Sequence, residues 1–281
     1  MKVSIIGLGL IGGSFGLALK KRIENVHIYG WDANPDHLSE ALALGIIDER
    51  AKSLEEVVAQ GEWIILAIPV NAVESLISQC MPSLRIEQVL VDFGSSKQLI
   101  CNAADAQKNR GQFIAAHPIA GTEYSGPSAA KADLFEDKVM IVCDQEKSMK
   151  VNVDGFRRIC KIIGMETRYL SAEDHDVQLA YVSHLSHVIA FGLSNTVLEK
   201  EASDSEILDL AGSGFASTVR LAKSSPEMWT PIFRKNSKAI LESLDRYLGH
   251  LNDFRNILEA GDDEAIHRFL TKGREIRKIL K

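Results

Sequence analysis

Cysteine is scarce in this sequence, and its positions exclude several kinds of site. The 281 residues include four cysteines, Cys80, Cys101, Cys143 and Cys160, and no two of them form a CxxC pair or another metal-ligand spacing. This pattern excludes a disulfide-stapled small domain and a cysteine-based metal site. We expect the four thiols to be small buried side chains in a protein of a reducing compartment.

Positive charge is in the minority, and long apolar runs are missing. Lys and Arg number 32 against 38 Asp and Glu, a formal net charge of −6, so there is no bulk positive field to attract nucleic acid or anionic lipid. No stretch of sequence approaches the roughly 20 apolar residues of a bilayer-spanning helix. The glycine-rich start of the chain also makes a poor signal peptide. We therefore expect a cytoplasmic protein with no nucleic-acid partner and no membrane partner.

The remaining composition is that of an ordinary globular protein, with 46% hydrophobic and 25% charged residues. In the first half, short apolar runs alternate with amphipathic stretches, which is the pattern of βαβ units. Several runs are continuously apolar, as in parallel strands buried on both faces. We predict strands at Val3–Ile6, Val26–Tyr29, Trp63–Ala67, Val89–Asp92, Phe113–Ala116, Val139–Cys143 and Glu166–Leu170. We predict helices at Ser14–Arg22, Asn34–Leu44 and Leu54–Gln60.

The pattern changes near residue 170. From Ala172 to Lys281 the sequence shows no convincing strand, only helical patterns broken at Gly212-Ser213-Gly214 and at Ser225-Pro226. The stretch Asp174–Glu199 is apolar on all sides, which is typical of a helix in a bundle core or in a subunit interface. We therefore predict a doubly wound, mostly parallel α/β domain over residues 1–170 and an all-α domain over residues 171–281.

A glycine-rich loop joins the first predicted strand to the first helix. It reads Gly7-Leu8-Gly9-Leu10-Ile11-Gly12, a pattern in which glycines allow a tight turn, close approach of a pyrophosphate and close helix–strand packing. Asp32 ends the second strand, where a carboxylate accepts hydrogen bonds from a ribose 2′-OH and repels a 2′-phosphate. The following Ala33 and Asn34 supply no arginine. These features predict a Rossmann domain that binds NAD in preference to NADP.

Two polar motifs follow neighbouring strands of the predicted sheet. Ser95 lies in the loop Asp92–Lys97, and His117 begins the motif His117-Pro118-Ile119-Ala120-Gly121-Thr122-Glu123. Ligands of open α/β sheets bind beyond the carboxyl ends of the strands, so both side chains are predicted to face the nicotinamide. A histidine there suits proton removal from an alcohol, because its ordinary pKa of about 6.5 leaves it mostly neutral at pH 7.

These motifs together resemble those of the prephenate dehydrogenase family. The resemblance covers nearly the whole chain and includes the glycine loop, the Asp92–Lys97 loop, the motif that begins at His117, the stretch Tyr181–His187 and the segment Thr218–Lys223. It implies a Rossmann domain followed by a helical domain that forms most of the interface of a homodimer. It also implies NAD as the cofactor and an oxidative decarboxylation of prephenate to 4-hydroxyphenylpyruvate and CO2, a step of tyrosine biosynthesis.

The resemblance assigns a role to each matching residue. His117 would accept the proton of the substrate hydroxyl, and Ser95 would hydrogen-bond the same hydroxyl or hold His117. Arg220 would bind a substrate carboxylate, for which a planar, permanently charged guanidinium is suited. The implied substrate-binding set is Arg220, His187, Thr122, Glu123 and His184. The implied cofactor-binding set is Gly7, Gly9, Leu10, Ile11, Gly12, Asp32 and Pro69.

The helical histidines have other interpretations as well. His184 and His187 are three residues apart and share a helix face, but no third ligand is evident, so we predict no metal site. His187 is expected to contact substrate. His184 and His175 are weaker candidates, because each is equally explained by helix capping or packing. Trp229 matches a family position near the site and is also explained as a core or interface residue.

The sequence departs from the family pattern after Phe215. Many members have Phe-Arg-Asp there, whereas this chain has Ala216 and Ser217 after the phenylalanine, which leaves the preferred substrate open. We also expect no N-terminal chorismate mutase segment and no C-terminal regulatory domain.

Three other functions remain as alternatives. An arogenate or cyclohexadienyl dehydrogenase differs only in a substrate that carries an amine instead of a ketone. A β-hydroxyacid dehydrogenase needs a lysine in the long inter-domain helix, and none lies between His175 and Glu199. An NAD-binding regulator without turnover would lack the base or the anion-binding residue, and here His117 and Arg220 supply both.

Overall fold

The structure is a computed structural model of the chain, and it describes residues 1–122, 124–203 and 206–279. One residue of the predicted substrate-binding set, Glu123, lies outside the described residues. The chain builds one eight-stranded sheet from its first 170 residues and a group of helices from the rest.

The strands are β1 (Lys2–Ile6), β2 (His27–Trp31), β3 (Glu49–Arg50), β4 (Trp63–Leu66), β5 (Val89–Asp92), β6 (Phe113–Ile119), β7 (Val139–Cys143) and β8 (Glu166–Leu170). Their spatial order is β3-β2-β1-β4-β5-β6-β7-β8. All neighbouring strands are parallel except β6 and β7, which pair antiparallel. The chain order reverses direction between β1 and β4, so the carboxyl ends of these two strands border the crevice in which doubly wound sheets bind ligands.

The α-helices of the sheet region are α1 (Leu10–Arg22), α2 (Pro35–Ala43), α3 (Leu54–Gln60), α4 (Val70–Cys80), α5 (Gln98–Asp105) and α6 (Lys150–Ile162). Those of the C-terminal region are α7 (Ala172–Leu179), α8 (Leu185–Glu201), α9 (Ser213–Thr218), α10 (Pro226–Lys235), α11 (Ser237–Ala260) and α12 (Asp263–Gly273). A π-helical turn, Ala180–His184, joins α7 to α8, and a 3-10 turn, Arg220–Lys223, follows α9.

The seven predicted strands are all present, within two residues at each end except for β6. That strand continues three residues further than predicted, to Ile119. The statement that His117 follows its strand was therefore wrong, because this residue lies within β6 and pairs with Ile141 of β7. The added antiparallel strand extends β6 past the point where a purely parallel sheet would end. The two-residue β3 was not predicted, since its Glu49 and Arg50 carry no apolar signal.

The central strands are buried on both faces. Along β4, Ile64 and Leu66 pack in one hydrophobic cluster and Ile65 in the other. The cluster that contains Ile65 is closed by side chains of α1 and α6, such as Phe15 and Phe156. The cluster that contains Ile64 and Leu66 is closed by side chains of α3, α4 and α5. This two-sided burial explains the continuously apolar strand sequences.

The C-terminal helices pack onto the sheet region through α10. Trp229 and Ile232 of α10 form a small buried cluster with Val70 of α4, and Lys235 pairs with Glu74 of α4 at 2.6 Å. Gly212 and Ser225 stand immediately before α9 and α10, as the predicted breaks require. The described residues from Ala172 onward contain no strand.

Much of the apolar surface of the C-terminal helices is uncovered in the single chain. Ala190 is the one buried residue of α8, and Val182, Leu198 and Leu258 remain 75%, 57% and 59% exposed. Of the two predicted environments for Asp174–Glu199, this exposure favours a subunit interface over a bundle core. Across the described part of the chain, no helix combines the length and apolar character needed to span a bilayer.

Candidate active site

The glycine loop has the backbone geometry that a bound pyrophosphate needs. Gly7 has a φ of +91°, and a Cβ on it would overlap the carbonyl of Ala67 at the end of β4. Beside Gly9, by contrast, a Cβ would meet no described residue within 4 Å. The loop therefore turns tightly against the sheet and leaves its outer side open for a ligand to approach the backbone.

The first turn of α1 offers hydrogen-bond donors to an anion. Its N-cap is Gly9, which has no side chain to cap the helix, and the first turn contains no acidic residue. The N–H groups of the first turn, from Leu10, Ile11 and Gly12, therefore remain available, and the helix dipole adds partial positive charge. The chain thus fits a dinucleotide pyrophosphate at this position.

Asp32 is held rigidly after β2. Its Oδ2 accepts a hydrogen bond from the Leu8 N–H at 2.7 Å, and its Oδ1 accepts one from the Asn34 N–H at 2.8 Å. The cleft beside it is lined by Trp31, Asp32, Pro35, Leu38, Arg50, Ala51 and Lys52. Two of these residues are cations that come from β3 and the residues after it. Sequence reasoning missed them, because only strand pairing brings them beside Asp32. Pro69, the other predicted cofactor residue, is exposed at the N-terminus of α4.

The loop after β5 is built around a buried ion pair. The Lys97 ammonium bonds to the Asp92 carboxylate, and both side chains have no exposed surface. Lys97 also donates to the Ala116 carbonyl at 2.8 Å, one residue before His117, while Asp92 accepts from the Gly94 N–H at 2.7 Å. This pair joins the loop that carries Ser95 to the strand that carries His117. Ser95 itself is half-buried.

His117 is the start of a chain of hydrogen bonds that the sequence did not reveal. Its Nδ1 lies 2.8 Å from His175 Nε2, and His175 Nδ1 lies 2.9 Å from Asp176 Oδ1. Of the two predicted roles of Ser95, that of holding His117 is not seen among the described residues, because His175 occupies Nδ1. Adjacent His-Asp residues at the start of a helix were the available sequence signal, but capping and packing explained them equally well.

The surroundings of His117 favour its neutral form. Burial, together with repulsion from a protonated His175 and from the Lys97 ammonium, holds the pKa of His117 well below its ordinary value. Burial also lowers the pKa of His175, although Asp176 opposes the shift. For Asp176, burial raises the pKa, but the bonds from His175 and from backbone N–H groups outweigh this and lower it overall. At neutral pH this chain of hydrogen bonds therefore consists of two neutral imidazoles, His117 and His175, and the Asp176 carboxylate.

A second aromatic group lies on the π-helical turn and α8. The His187 ring stacks on Trp229 of α10 with centroids 3.5 Å apart, and the His184 ring meets the same indole edge-on at 5.9 Å. The Trp229 Nε1–H is buried and has no acceptor among the described residues. Asn236 links this aromatic group to the chain of hydrogen bonds that begins at His117. Its Nδ2 donates to the Asp176 carbonyl at 2.7 Å and contacts His184 Nδ1 at 3.1 Å.

The remaining predicted residues lie at the edge of this group. Arg220 is exposed on its 3-10 turn, and its charge contributes, after burial, to the lowered pKa of His187. Burial lowers the pKa of His184 to about 4, so this ring is neutral at pH 7. Thr122 is half-buried, and its hydroxyl accepts a bond from the Tyr124 N–H at 3.3 Å.

Comparisons with known proteins agree along the whole chain. The family model described as prephenate dehydrogenase, nucleotide-binding domain, matches residues 15–168, and the model described as prephenate dehydrogenase, dimerization domain, matches residues 171–272. The prephenate dehydrogenase of Bacillus subtilis is 32% identical over 277 residues, which cover 98% of this chain and 75% of that protein. The cyclohexadienyl dehydrogenase of Zymomonas mobilis is 29% identical over 280 residues, with 99% and 96% coverage.

A solved structure shows the same fold. The prephenate dehydrogenase of A. aeolicus, in complex with hydroxyphenyl propionate and NAD+, superposes with a TM-score of 0.93 at 30% identity and covers 100% of this chain and 98% of that one.

A glycine loop at the switch point of a doubly wound sheet, with an imidazole chain beside it, defines the class of Rossmann-type dehydrogenases with a helical second region. Within that class, the chain belongs to the prephenate dehydrogenase family.

Proposed function

We propose that this protein oxidises prephenate with NAD to 4-hydroxyphenylpyruvate, CO2 and NADH, which would be a step of tyrosine biosynthesis. The observation that carries the proposal is the neutral imidazole of His117, held by its Nδ1 on the sheet that also carries the glycine loop. Bound NAD supplies the hydride acceptor. The experiment is a spectrophotometric NADH assay with prephenate as substrate, and an enzyme that forms no NADH with prephenate would contradict the proposal.

In this mechanism His117 removes the proton from the ring hydroxyl of the substrate. Its Nδ1 is engaged by His175 at 2.8 Å, so Nε2 is the nitrogen left to accept the proton. A positioned base of this kind contributes about 100-fold to 10,000-fold to the rate. Ser95, on the loop that Lys97 joins to β6, would hydrogen-bond the same hydroxyl. Aromatisation of the ring with loss of CO2 is strongly downhill, so the protein has mainly to orient the substrate and accept this proton.

The substrate is a dianion, and the group around Trp229 would receive its side chain. Arg220 would bind a carboxylate, and the buried Trp229 Nε1–H offers a hydrogen bond that no described residue accepts. The stacked His187 ring has its Nδ1 at 2.9 Å from the Ser183 carbonyl, which leaves Nε2 for the substrate. Thr122, Glu123 and His184 complete the proposed substrate-binding set.

The Arg220→Ala change is expected to raise the KM for prephenate by about 10-fold to 100-fold with little change in kcat. A hydrogen bond to a charged group contributes about 1.5–3 kcal/mol, and this one is made in the ground state and the transition state alike. Steady-state kinetics with saturating NAD measures the separate effects on kcat and on the KM for prephenate. Arg246→Ala, on an exposed helical pair with Glu242, is the control. A fall in kcat at unchanged KM would contradict the assignment.

The cofactor is proposed to be NAD, held by Gly7, Gly9, Leu10, Ile11, Gly12, Asp32 and Pro69. The Asp32→Asn change is expected to weaken NAD binding by about tenfold, because it removes a charged hydrogen-bond acceptor for the ribose. NADP should lose less affinity or gain some, since the repulsion of its 2′-phosphate by Asp32 disappears and Arg50 and Lys52 lie in the same cleft.

Titration of both nucleotides by intrinsic fluorescence measures these affinities. Asp36→Asn, on an exposed carboxylate in the first turn of α2, is the matched control. An unchanged ratio of NADP to NAD affinity in the Asp32 variant would remove Asp32 from its role in cofactor choice.

A second candidate activity is oxidation of arogenate, as in an arogenate or cyclohexadienyl dehydrogenase. The 29% identity to the cyclohexadienyl dehydrogenase of Zymomonas mobilis and the Ala216-Ser217 departure favour testing it. The two substrates differ only in an amine or a ketone on the side chain. Parallel assays with both therefore decide between them, and turnover of arogenate alone would overturn the choice of prephenate.

We also propose the domain division and the assembly. Residues 1–170 would form the NAD-binding Rossmann domain and residues 171–281 the helical domain, whose uncovered apolar faces on α8 and α11 would meet in a homodimer. Light scattering at several concentrations tests the dimer. All four cysteines are free and buried, which supports a cytoplasmic location.

A further inference from the structure

Two residues, His175 and Asp176, follow the proposed base in the chain of hydrogen bonds. We infer that His175 and Asp176 are positioning residues that keep the His117 proton on Nδ1 and thereby leave Nε2 unprotonated toward the substrate. This inference rests on the proposed role of His117, but it concerns a property of the protein that can be measured without turnover.

The direction of the hydrogen bonds follows from the acceptor at the end of the chain. Asp176 accepts N–H bonds on both oxygens, from Lys97 at 2.7 Å and from Gln98 at 2.9 Å. A carboxylate with several N–H donors is ionised at neutral pH and has no proton to give. His175 Nδ1, at 2.9 Å from Asp176 Oδ1, must therefore be the donor in that bond.

The remaining protons are then determined. A neutral His175 that carries its proton on Nδ1 has a lone pair on Nε2. The 2.8 Å contact between His175 Nε2 and His117 Nδ1 requires one proton between the two nitrogens, so it must come from His117. A neutral His117 with its proton on Nδ1 presents a lone pair on Nε2. This is the tautomer that a general base needs.

The titratable groups that face His117 agree with this arrangement. They are His175 from α7, the Lys97 ammonium from the loop before α5, and His184 from the π-helical turn. At neutral pH the Lys97 ammonium disfavours a second proton on His117, and a proton on either neighbouring imidazole would act in the same direction. The Lys97 charge is shared with the buried Asp92 carboxylate, and Asp176 stabilises the proton on His175. The chain is thus kept neutral at both imidazoles, with its single negative charge at the far end.

A purely structural role as a helix cap is already filled by another residue. Ser171 is the N-cap of α7, and its hydroxyl accepts the Asp174 N–H at 3.0 Å. The His175 side chain has no exposed surface. The Asp176 carboxylate accepts hydrogen bonds from backbone N–H groups at the end of the loop that carries Ser95. The backbone carbonyl of Asp176 accepts a further hydrogen bond from Asn236 at 2.7 Å. One carboxylate therefore orients both the base and the loop of the second catalytic candidate.

The first test is direct. In ¹⁵N-histidine-labelled wild-type protein, long-range ¹H–¹⁵N spectra at pH 7.5 distinguish a protonated from an unprotonated ring nitrogen, and the spectrum of His117→Asn identifies the His117 signals. We expect Nδ1 of His117 to be protonated and Nε2 unprotonated. A proton on Nε2 would overturn the inference. The result is independent of activity, so it stands even if neither prephenate nor arogenate is a substrate.

The kinetic test uses two substitutions at one position. In His175→Leu the His117 Nδ1 loses its acceptor, and kcat is expected to fall by about 100-fold with little change in KM or in NAD affinity. In His175→Gln the amide oxygen can accept the Nδ1 proton, so most of the lost kcat should return and the His117 spectrum should resemble that of the wild type. Equal loss in both variants, with normal melting temperatures, would contradict a role through the tautomer.

A matched pair of carboxylates separates positioning from folding. Asp176→Asn should lower kcat and shift the acid limb of its pH profile. Asp144→Asn should leave kcat within about twofold of the wild type and the acid limb in place. Asp144 is also buried and accepts the Ala172 N–H at the start of the same helix at 2.9 Å, but it has no hydrogen bond to a histidine among the described residues. Wild-type kcat in Asp176→Asn, or equal losses in the two variants, would overturn the inference.

Discussion

The His117→Asn variant is expected to lose at least about 100-fold in kcat while it binds NAD almost as well as the wild type. Asparagine is smaller than histidine, so it fits the same space, and its amide keeps a polar group near His175. The strand should therefore remain intact. What it lacks is a group that can take up the substrate proton. Stopped-flow and steady-state NADH formation, with NAD affinity measured separately, show whether the loss lies in turnover alone.

The pH dependence gives this prediction a second readout. Because burial and repulsion from a protonated His175 and from the Lys97 ammonium hold the pKa of His117 below its ordinary value of about 6.5, the active neutral form persists as the pH falls through 6.5. The acid limb of kcat/KM should therefore lie below pH 6.5 in the wild type and disappear in the variant.

The control for this variant is His27→Asn, on an exposed histidine of β2 that contacts Glu49. It should keep wild-type turnover. Near-wild-type turnover in His117→Asn itself would remove His117 from its assigned role and, with it, the single observation on which the proposed activity depends.

The second large effect is expected on stability. The Lys97→Met change should lower the free energy of unfolding by about 3–5 kcal/mol, because it leaves the Asp92 carboxylate buried without its cation. Methionine replaces the length of the lysine chain, so lost packing is a minor contribution. Urea denaturation at pH 7 measures the change. A companion variant that also carries Asp92→Leu removes both charges and should recover much of the lost stability.

The loss in Lys97→Met should depend on pH with a definite sign. Burial already raises the pKa of Asp92, and Lys97 is the largest opposing influence. Without that lysine the folded protein holds a proton on Asp92 that the unfolded chain releases above about pH 4, so stability should fall as the pH rises, by up to about 1.4 kcal/mol per pH unit.

The exposed pair of Lys278 and Glu275 provides the comparison for the buried one. Lys278→Met should change stability by less than about 1 kcal/mol, since solvent screens exposed pairs. If Lys97→Met behaved in the same way, the Lys97–Asp92 pair would not be the element that joins the Ser95 loop to β6.

The sheet was largely predictable because burial on both faces leaves a simple mark in the sequence. Runs such as those of β4 and β5 are apolar throughout, and their short length between helical stretches favours a buried strand over a buried helix. The two errors in the strand prediction, the end of β6 and the missing β3, have physical causes of the same kind. The end of β6 is extended by pairing with β7, and β3 exists because its two polar residues pair with β2. Pairing with a neighbour leaves no apolar pattern to read.

The glycine loop, the carboxylate after β2, seven of the eight strands of the sheet and the change from sheet to helices could all be read from the sequence, because each follows from local backbone demands or from periodic burial. The surroundings of the proposed base, in contrast, depend on tertiary packing. His117 and His175 are 58 residues apart in the chain, and Asp176 and Asn236 are 60 apart. Hydrogen bonds over such separations depend on how α7 and α11 pack against the sheet region. No local pattern in the sequence encodes that packing.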